Sequence, residues 1–235
     1  MQRNQAEAPE DQREPAGERQ NRRRPGRPRK SDAATDTRSE ILEAALKLFA
    51  RDGFEGATVS EIAKQAGVTQ PLVHYHFRSK DILWRNAVAH GFRELPDITP
   101  GPLVDAEPQE GLDHARELIQ RFVTFCSRRP DVVRIILHEG ARRTWRLDFL
   151  LDKHLASRAQ GLVDIIEASN RRGFIRDYPV ASLMTIIFGS AALFSSGAPM
   201  IKALYGVDAT DPDEWDRHTT VLTEVLLSGL LNDRL

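Results

Sequence analysis

From Asp36 onward the large apolar residues recur at three- and four-residue intervals, and strand-like alternation is absent. Such a chain buries its apolar surface by packing helix on helix, so the expected fold is all-α. The first periodic segment carries Ile41, Leu42, Ala45, Leu48 and Phe49 and stops at Gly53. Thr58 followed by Glu61 is a capping-box pattern, and Val59, Ile62, Ala63 and Ala66 form the stripe of a short second helix closed by Gly67. Thr69 is placed to cap a third helix whose first turn accepts Pro71, because a residue without an N–H loses nothing there. Ser79 is placed to cap a fourth, running through Ile82, Leu83, Ala87 and Val88.

Pro96 to Pro108 holds four prolines and reads as a linker. Beyond it the helical spacing resumes: Leu118, Phe122 and Phe125; Val133, Ile136 and Leu137; Leu150, Leu155, Leu162, Ile165 and Ile166. Gly173 closes a long helix, Pro179 falls in the first turn of the next, and Val221, Leu222, Val225, Leu226 and Leu230 stripe the last. The expected organisation is a disordered arm over residues 1–35, a helical domain over 36–95 and a second helical domain over 109–235.

A formal net charge of -1 over 235 residues predicts no general attraction to nucleic acid or to an anionic membrane. Local clustering tells a different story. Arg22, Arg23, Arg24, Arg27, Arg29 and Lys30 stand together without an acid, whereas Asp208, Asp211, Asp213, Glu214 and Asp216 make the far end acidic. Residues 1–35 have hardly any large apolar side chain to offset ordering entropy, hence the disordered arm. The N-terminus lacks the apolar run of a signal peptide, and the single cysteine, Cys126, excludes an intramolecular disulfide; a cytoplasmic protein is expected. Ala181 to Ile201 contains no charged residue and is long enough to span a bilayer, but its serines, glycines, Thr185 and Pro199 favour a buried or interface helix.

The second and third helices, Val59 to Ala66 and Gln70 to His76, joined by a tight glycine-containing turn, have the dimensions of a helix-turn-helix spanning roughly Thr37 to Lys80. In that motif the N-terminal residues of the second helix meet base edges in the major groove. Thr69 and Gln70 can donate and accept there, Gln pairing best with adenine, and Leu72 can pack on a thymine methyl. His74, Tyr75, Lys80 and Thr58 are in position to reach phosphates. Spacing alone leaves open a plain three-helix bundle whose Tyr75, His76 and Phe77 only fill a core.

The run ILEAALKLFARDGFEGATVSEIAKQAGVTQPLVHYHFRSKDILWRNAV resembles the N-terminal domain of the tetracycline-repressor (TetR) family over about Arg38 to Val88, without a gap. The resemblance rests on the LF-x-x-x-G-F close of the first helix, the T-V-x-x-I-A-x-x-A-G-V second helix and the Y-H-F-x-S-K exit. It implies a three-helix DNA-binding domain joined to a helical ligand-binding and dimerisation domain. It also implies a sequence-specific transcriptional regulator, a homodimer released from a pseudo-palindromic DNA operator by a small-molecule effector. Base contacts then fall on Thr69, Gln70, Pro71 and His74, and phosphate contacts on Thr58, Tyr75 and Lys80. His74 departs from the tyrosine of many members; imidazole has a shorter reach and a pH-dependent charge.

Upstream, RRRPGRPRK at Arg22 to Lys30 resembles an AT-hook, an extended Gly-Arg-Pro core for the minor groove. Arg27 and Arg29 would enter a groove ~6 Å wide where narrow A·T tracts concentrate negative potential. A solvated basic linker adding nonspecific attraction accounts for the same residues. A protein that coats A·T-rich DNA without sensing anything is the alternative to a regulator.

Catalysis and cofactors find no support. His138-Glu139 begins an H-E-x-x-H zinc motif, but the second histidine position holds Arg142. His74 and His76 are two apart and face different ways on a helix. Neither a phosphate loop nor a nucleophile elbow is present, so no enzyme, metal or cofactor is expected.

In the second domain the resemblance implies that the last two helices form the dimer interface, a four-helix bundle with the partner. Small residues from Gly189 to Ser196 permit close approach, and Leu222, Val225, Leu226 and Leu230 supply an apolar seam. An intramolecular core has the same pattern. Phe122, Phe125, Cys126, His138, Trp145, Phe149, Met184 and Phe188 are candidates for an effector pocket by type and helix position, and core packing explains them equally well.

Overall fold

The computed structural model describes residues 30–95 and 108–230 of the chain. Every regular element among them is helical: α1 (Lys30–Gly56), α2 (Val59–Gln65), α3 (Gln70–His76), α4 (Lys80–Gly91), α5 (Pro108–Arg128), α6 (Pro130–Gly140), α7 (Trp145–Leu150), α8 (Ala156–Arg171), α9 (Val180–Ser196), α10 (Ala198–Tyr205) and α11 (Pro212–Leu230). The linker residues 96–107, and the arm up to residue 29 with Arg27 and Arg29, lie outside the described residues.

Helix α1 begins at Lys30, inside the segment expected to be disordered. Ala33 and Ala34 are strong helix formers, and extending an existing helix backwards avoids the cost of nucleation. Gly53 interrupts its far end with φ 71° and ψ 175°, a conformation closed to residues bearing a Cβ. The chain then turns back, and Phe54 stacks on Phe49 at 5.9 Å. The capping box forms as expected: Thr58 Oγ1 accepts from the Glu61 N–H at 3.2 Å while the Glu61 carboxylate accepts from the Thr58 N–H at 3.3 Å. Caps of this kind are worth about 1 kcal/mol, which matters for a helix of only seven residues. Gly67, at φ 67°, turns the chain into α3.

One continuous core joins the first four helices to the rest of the chain. Helix α1 packs on both α4 and α6. At Gly91 the backbones come so close that a Cβ would lie 2.6 Å from Val132 Cγ2 and 2.7 Å from Leu46 Cδ2. Beside this contact, buried Arg129 donates to Glu43 at 2.9 Å, to Glu94 at 3.2 Å and to Asp131 at 3.0 Å. Burial raises the Glu43 carboxyl's pKa, but the bonds and charge of Arg129, with help from His90, outweigh it and leave the pKa below its usual value. On the other side Trp84 meets Trp145 at 5.3 Å and Phe149 at 5.8 Å, with the Arg85 guanidinium 4.4 Å from the Trp145 ring centre. Aromatic pairs of this geometry contribute about 0.5–1.5 kcal/mol each beyond their buried area.

A π-helical turn, Leu151–Leu155, joins α7 to α8. The uncharged stretch from Ala181 to Ile201 forms α9 and the start of α10, which meet at a bend of 79°. Among the described residues no single helix is long and apolar enough to cross a membrane.

Candidate nucleic-acid interface and effector cavity

Helix α3 is held by its inner face. Val73 and Phe77 are buried, with 1% and 2% of their surface exposed, which turns the opposite face and the N-terminal end of α3 to solvent. Thr69, Gln70, Pro71, His74 and Tyr75 are all exposed there, Leu72 is half-buried, and Tyr75 is 81% exposed. Thr69 occupies the N-cap position as expected, yet its hydroxyl makes no capping bond. It therefore faces outward as a donor and acceptor. Gln70 and His74, one turn apart, bring their terminal nitrogens to 3.5 Å, so the two side chains present one polar edge.

Two expected phosphate anchors are otherwise engaged. The Thr58 hydroxyl donates to the Glu61 carboxylate at 2.7 Å. Lys80 is half-buried; its ammonium donates to the Glu55 carbonyl at 3.2 Å and sits 4.6 Å from the Phe54 ring centre, tying the start of α4 to the end of α1. Arg78, exposed in the turn between α3 and α4, is a cation that the sequence reading passed over. Arg38 is also structural, donating to Asn86 at 2.7 Å.

Between α5, α6, α8 and α9 lies a cavity of about 200 Å³. Phe122, Phe125, Cys126, Met184 and Phe188 line it, as their helix positions suggested. His138, Trp145 and Phe149 do not: His138 is exposed, and the other two belong to the aromatic cluster around Trp84. Leu95, Val133, Ile136, Leu155, Arg158 and Leu162 complete much of the wall. Burial pushes the Cys126 thiol up to about 12, so it stays a neutral apolar surface. Glu139, suspected of zinc chemistry only through its neighbour His138, accepts from Arg146 at 2.8 Å and from Thr144 at 3.1 Å and braces α6 against α7.

The residues expected at a dimer seam divide between core and surface. Leu222 and Leu226 turn into the chain's own core, while Val225 is 65% exposed; the side chain of Leu230 lies outside the described residues. Each residue of a helix advances 100°, so the outward pair is Val221 and Val225, with Ile186 and Leu193 exposed on neighbouring α9.

A reading helix presented on a three-helix platform, with a helical domain behind it, defines a helix-turn-helix transcription regulator that binds DNA. Comparison with known proteins makes this specific. Residues 41–86 match the family model of bacterial regulatory proteins of the tetR family. The chain is 27% identical over 210 residues to the transcriptional repressor NicS of Pseudomonas putida, covering 86% of this chain and 95% of NicS. It is 24% identical over 210 residues to the transcriptional regulator RutR of Escherichia coli, covering 86% of this chain and 94% of RutR. The solved structure of HlyIIR, a hemolysin II transcriptional regulator, shares the fold at 20% identity and a TM-score of 0.60, over 85% of this chain and 99% of that one. Over residues 41–86 the chain is thus similar to the tetR family of bacterial regulatory proteins, and over most of its length to named transcriptional regulators.

Proposed function

We propose that the protein is a homodimeric repressor that binds a pseudo-palindromic operator and is released when a small molecule occupies the cavity. Helix α6 carries the argument. Val133 and Ile136 line the cavity, while Val132 packs at Gly91 of α4 and Arg129, just before α6, grips Glu43 of α1. A molecule that displaces α6 therefore acts on both helices that support α2 and α3. Release follows only to the extent that the molecule binds the displaced state better than the operator-binding one. Thr69, Gln70, Pro71, Leu72 and His74 form the base-reading edge; Tyr75 and the Arg78 turn face the backbone. The second copy covers the exposed apolar side chains of α9 and α11, Ile186, Leu193, Val221 and Val225.

The test is selection from random duplex DNA with the full chain, followed by the mass of the complex. The expected outcome is a dyad-symmetric site holding two chains or a multiple of two, and monomer formation by Val225→Asp with weakened operator binding. Scattered A·T tracts without symmetry would replace this reading by that of a DNA-coating protein; a single chain on a single half-site would remove the dimer.

A further inference from the structure

The effector reading leaves the ligand's chemistry open, and the cavity wall restricts it. The surface exposed to the cavity between α5, α6, α8 and α9 is nearly all hydrocarbon and sulfur. The polar groups close by are already spent. Arg158, the one charged side chain among the described residues of the wall, donates to the His154 carbonyl at 2.8 Å and has a further partner besides. The Cys126 carbonyl accepts from the buried Ser195 hydroxyl at 2.8 Å, and the Cys126 thiol stays neutral. Nearly all of the wall belongs to helices, whose main-chain groups bond one another. Among the described residues, no buried polar side-chain atom left without a partner belongs to this wall.

A ligand that brings a polar group into such a space gives up water and meets no donor or acceptor in return. For a neutral group the loss amounts to roughly five- to 150-fold in affinity, and for an ionised one far more. A hydrocarbon surface gains by the same transfer. From this wall we infer that the cavity takes a small neutral hydrocarbon-like molecule, an alkylbenzene or one of similar size, held by apolar contact alone. The proposal rests on the effector reading above for its regulatory meaning, though not for the binding itself. Size follows from volume: a cavity of ~150 Å³ lined by apolar side chains holds one benzene ring. About 200 Å³ therefore accepts a ring with a short alkyl substituent. Phe122 and Phe188 already touch, with ring centres 6.2 Å apart, so the ligand lies beside this pair and not between its rings. The sulfur of Met184 and the phenyl rings of the wall favour an aromatic body. Each added methylene strengthens binding by about fourfold until the space is filled, after which longer chains lose affinity.

Calorimetric titration of the full chain at pH 7.5, without DNA, compares ethylbenzene, benzyl alcohol, benzylamine and benzoate, which share one ring and differ at the head. Ethylbenzene is expected to saturate one site per chain and to bind at least fivefold more tightly than the alcohol, with both ions at least a hundredfold weaker. Leu162→Trp and Ile187→Phe fill the cavity from α8 and α9, and each is expected to abolish ethylbenzene binding; cooperative thermal unfolding of both variants checks the fold. Binding of the alcohol, the amine or the acid as tightly as ethylbenzene, ethylbenzene binding that survives in both folded variants, or no binding of ethylbenzene overturns the proposal. Operator affinity is then measured with and without ethylbenzene. Binding that leaves operator affinity unchanged would sustain the apolar site and remove the release mechanism.

Discussion

Val132 and Val133 are consecutive on α6 and face different partners: Val132 closes on Gly91 of the DNA-binding region, and Val133 lines the cavity. Adjacent residues of a helix point about 100° apart, so one rigid element touches both sites without an intervening relay. The Arg129 cluster adds a polar tie at the same end of α6.

The crowding at Gly91 makes it sensitive to a single methyl group. Its neighbours there, Val132 and Leu46, are themselves buried and have little room to withdraw. Gly91→Ala is expected to destabilise the protein by about 1–3 kcal/mol through overpacking. A chain of this size then melts roughly 2–12 °C lower. Gly140→Ala, where a Cβ meets nothing within 4 Å, serves as the control and should leave the melting temperature close to the original. Equal behaviour of the two variants would contradict the close packing.

Two half-buried histidines make stability depend on mild acidification. His154 stacks on Phe92 at 4.5 Å, and His218 on Phe194 at 4.0 Å. Burial lowers the pKa of His154, and the Arg158 charge lowers it further. Burial likewise lowers that of His218, partly offset by a backbone hydrogen bond at Ser190. Both are depressed from the model-peptide value of 6.5, so below that pH the unfolded chain takes up protons that the folded chain resists. Their contribution is complete above about pH 6.5 and is lost as pH falls from there through the folded values. Thermal melts should therefore show lower stability at pH 5.5 than at pH 7.5, with a smaller difference in the His154→Gln, His218→Gln double variant. A melting temperature that rises on acidification would have the wrong sign.

Cys126 offers a chemical reading of the same core. Its thiol is fully buried and pushed up to about 12, leaving almost no thiolate at pH 8. Iodoacetamide at that pH is expected to label the native chain at least a hundredfold more slowly than the denaturant-unfolded chain, as followed by intact mass. Rapid labelling without denaturant would mean that the cavity wall opens readily.

The helix-turn-helix was legible because it is local. Gly53, Gly67 and the Thr58–Glu61 box mark its corners within a short span, and each operates at the expected place. What escaped the sequence depends on residues far apart in the chain. Nothing near Lys80 announces that the end of α1 captures its ammonium. Trp145 and Phe149 have the residue types of a pocket, but they pack on Trp84, some sixty positions upstream, rather than on the cavity. Leu222 and Leu226, expected in a dimer seam, turn into the chain's own core because Val221, Leu222, Val225 and Leu226 form two interleaved stripes, and only the neighbouring helices decide which turns inward. Arg158 did leave a signal: it follows Leu155 by three positions and precedes Leu162 by four, in step with an apolar stripe where a charge is out of place.

The reading edge of α3 is tested most directly by operator affinity. Fluorescence anisotropy would compare the unaltered protein with Gln70→Ala, on the selected operator and on a scrambled duplex of equal length and composition. A bidentate contact to a base is worth about 1–3 kcal/mol of discrimination, so the variant should bind the operator roughly five- to 150-fold more weakly while its affinity for the scrambled duplex stays within about twofold. Equal losses on both duplexes, or none on the operator, would contradict the assignment of Gln70 to base recognition.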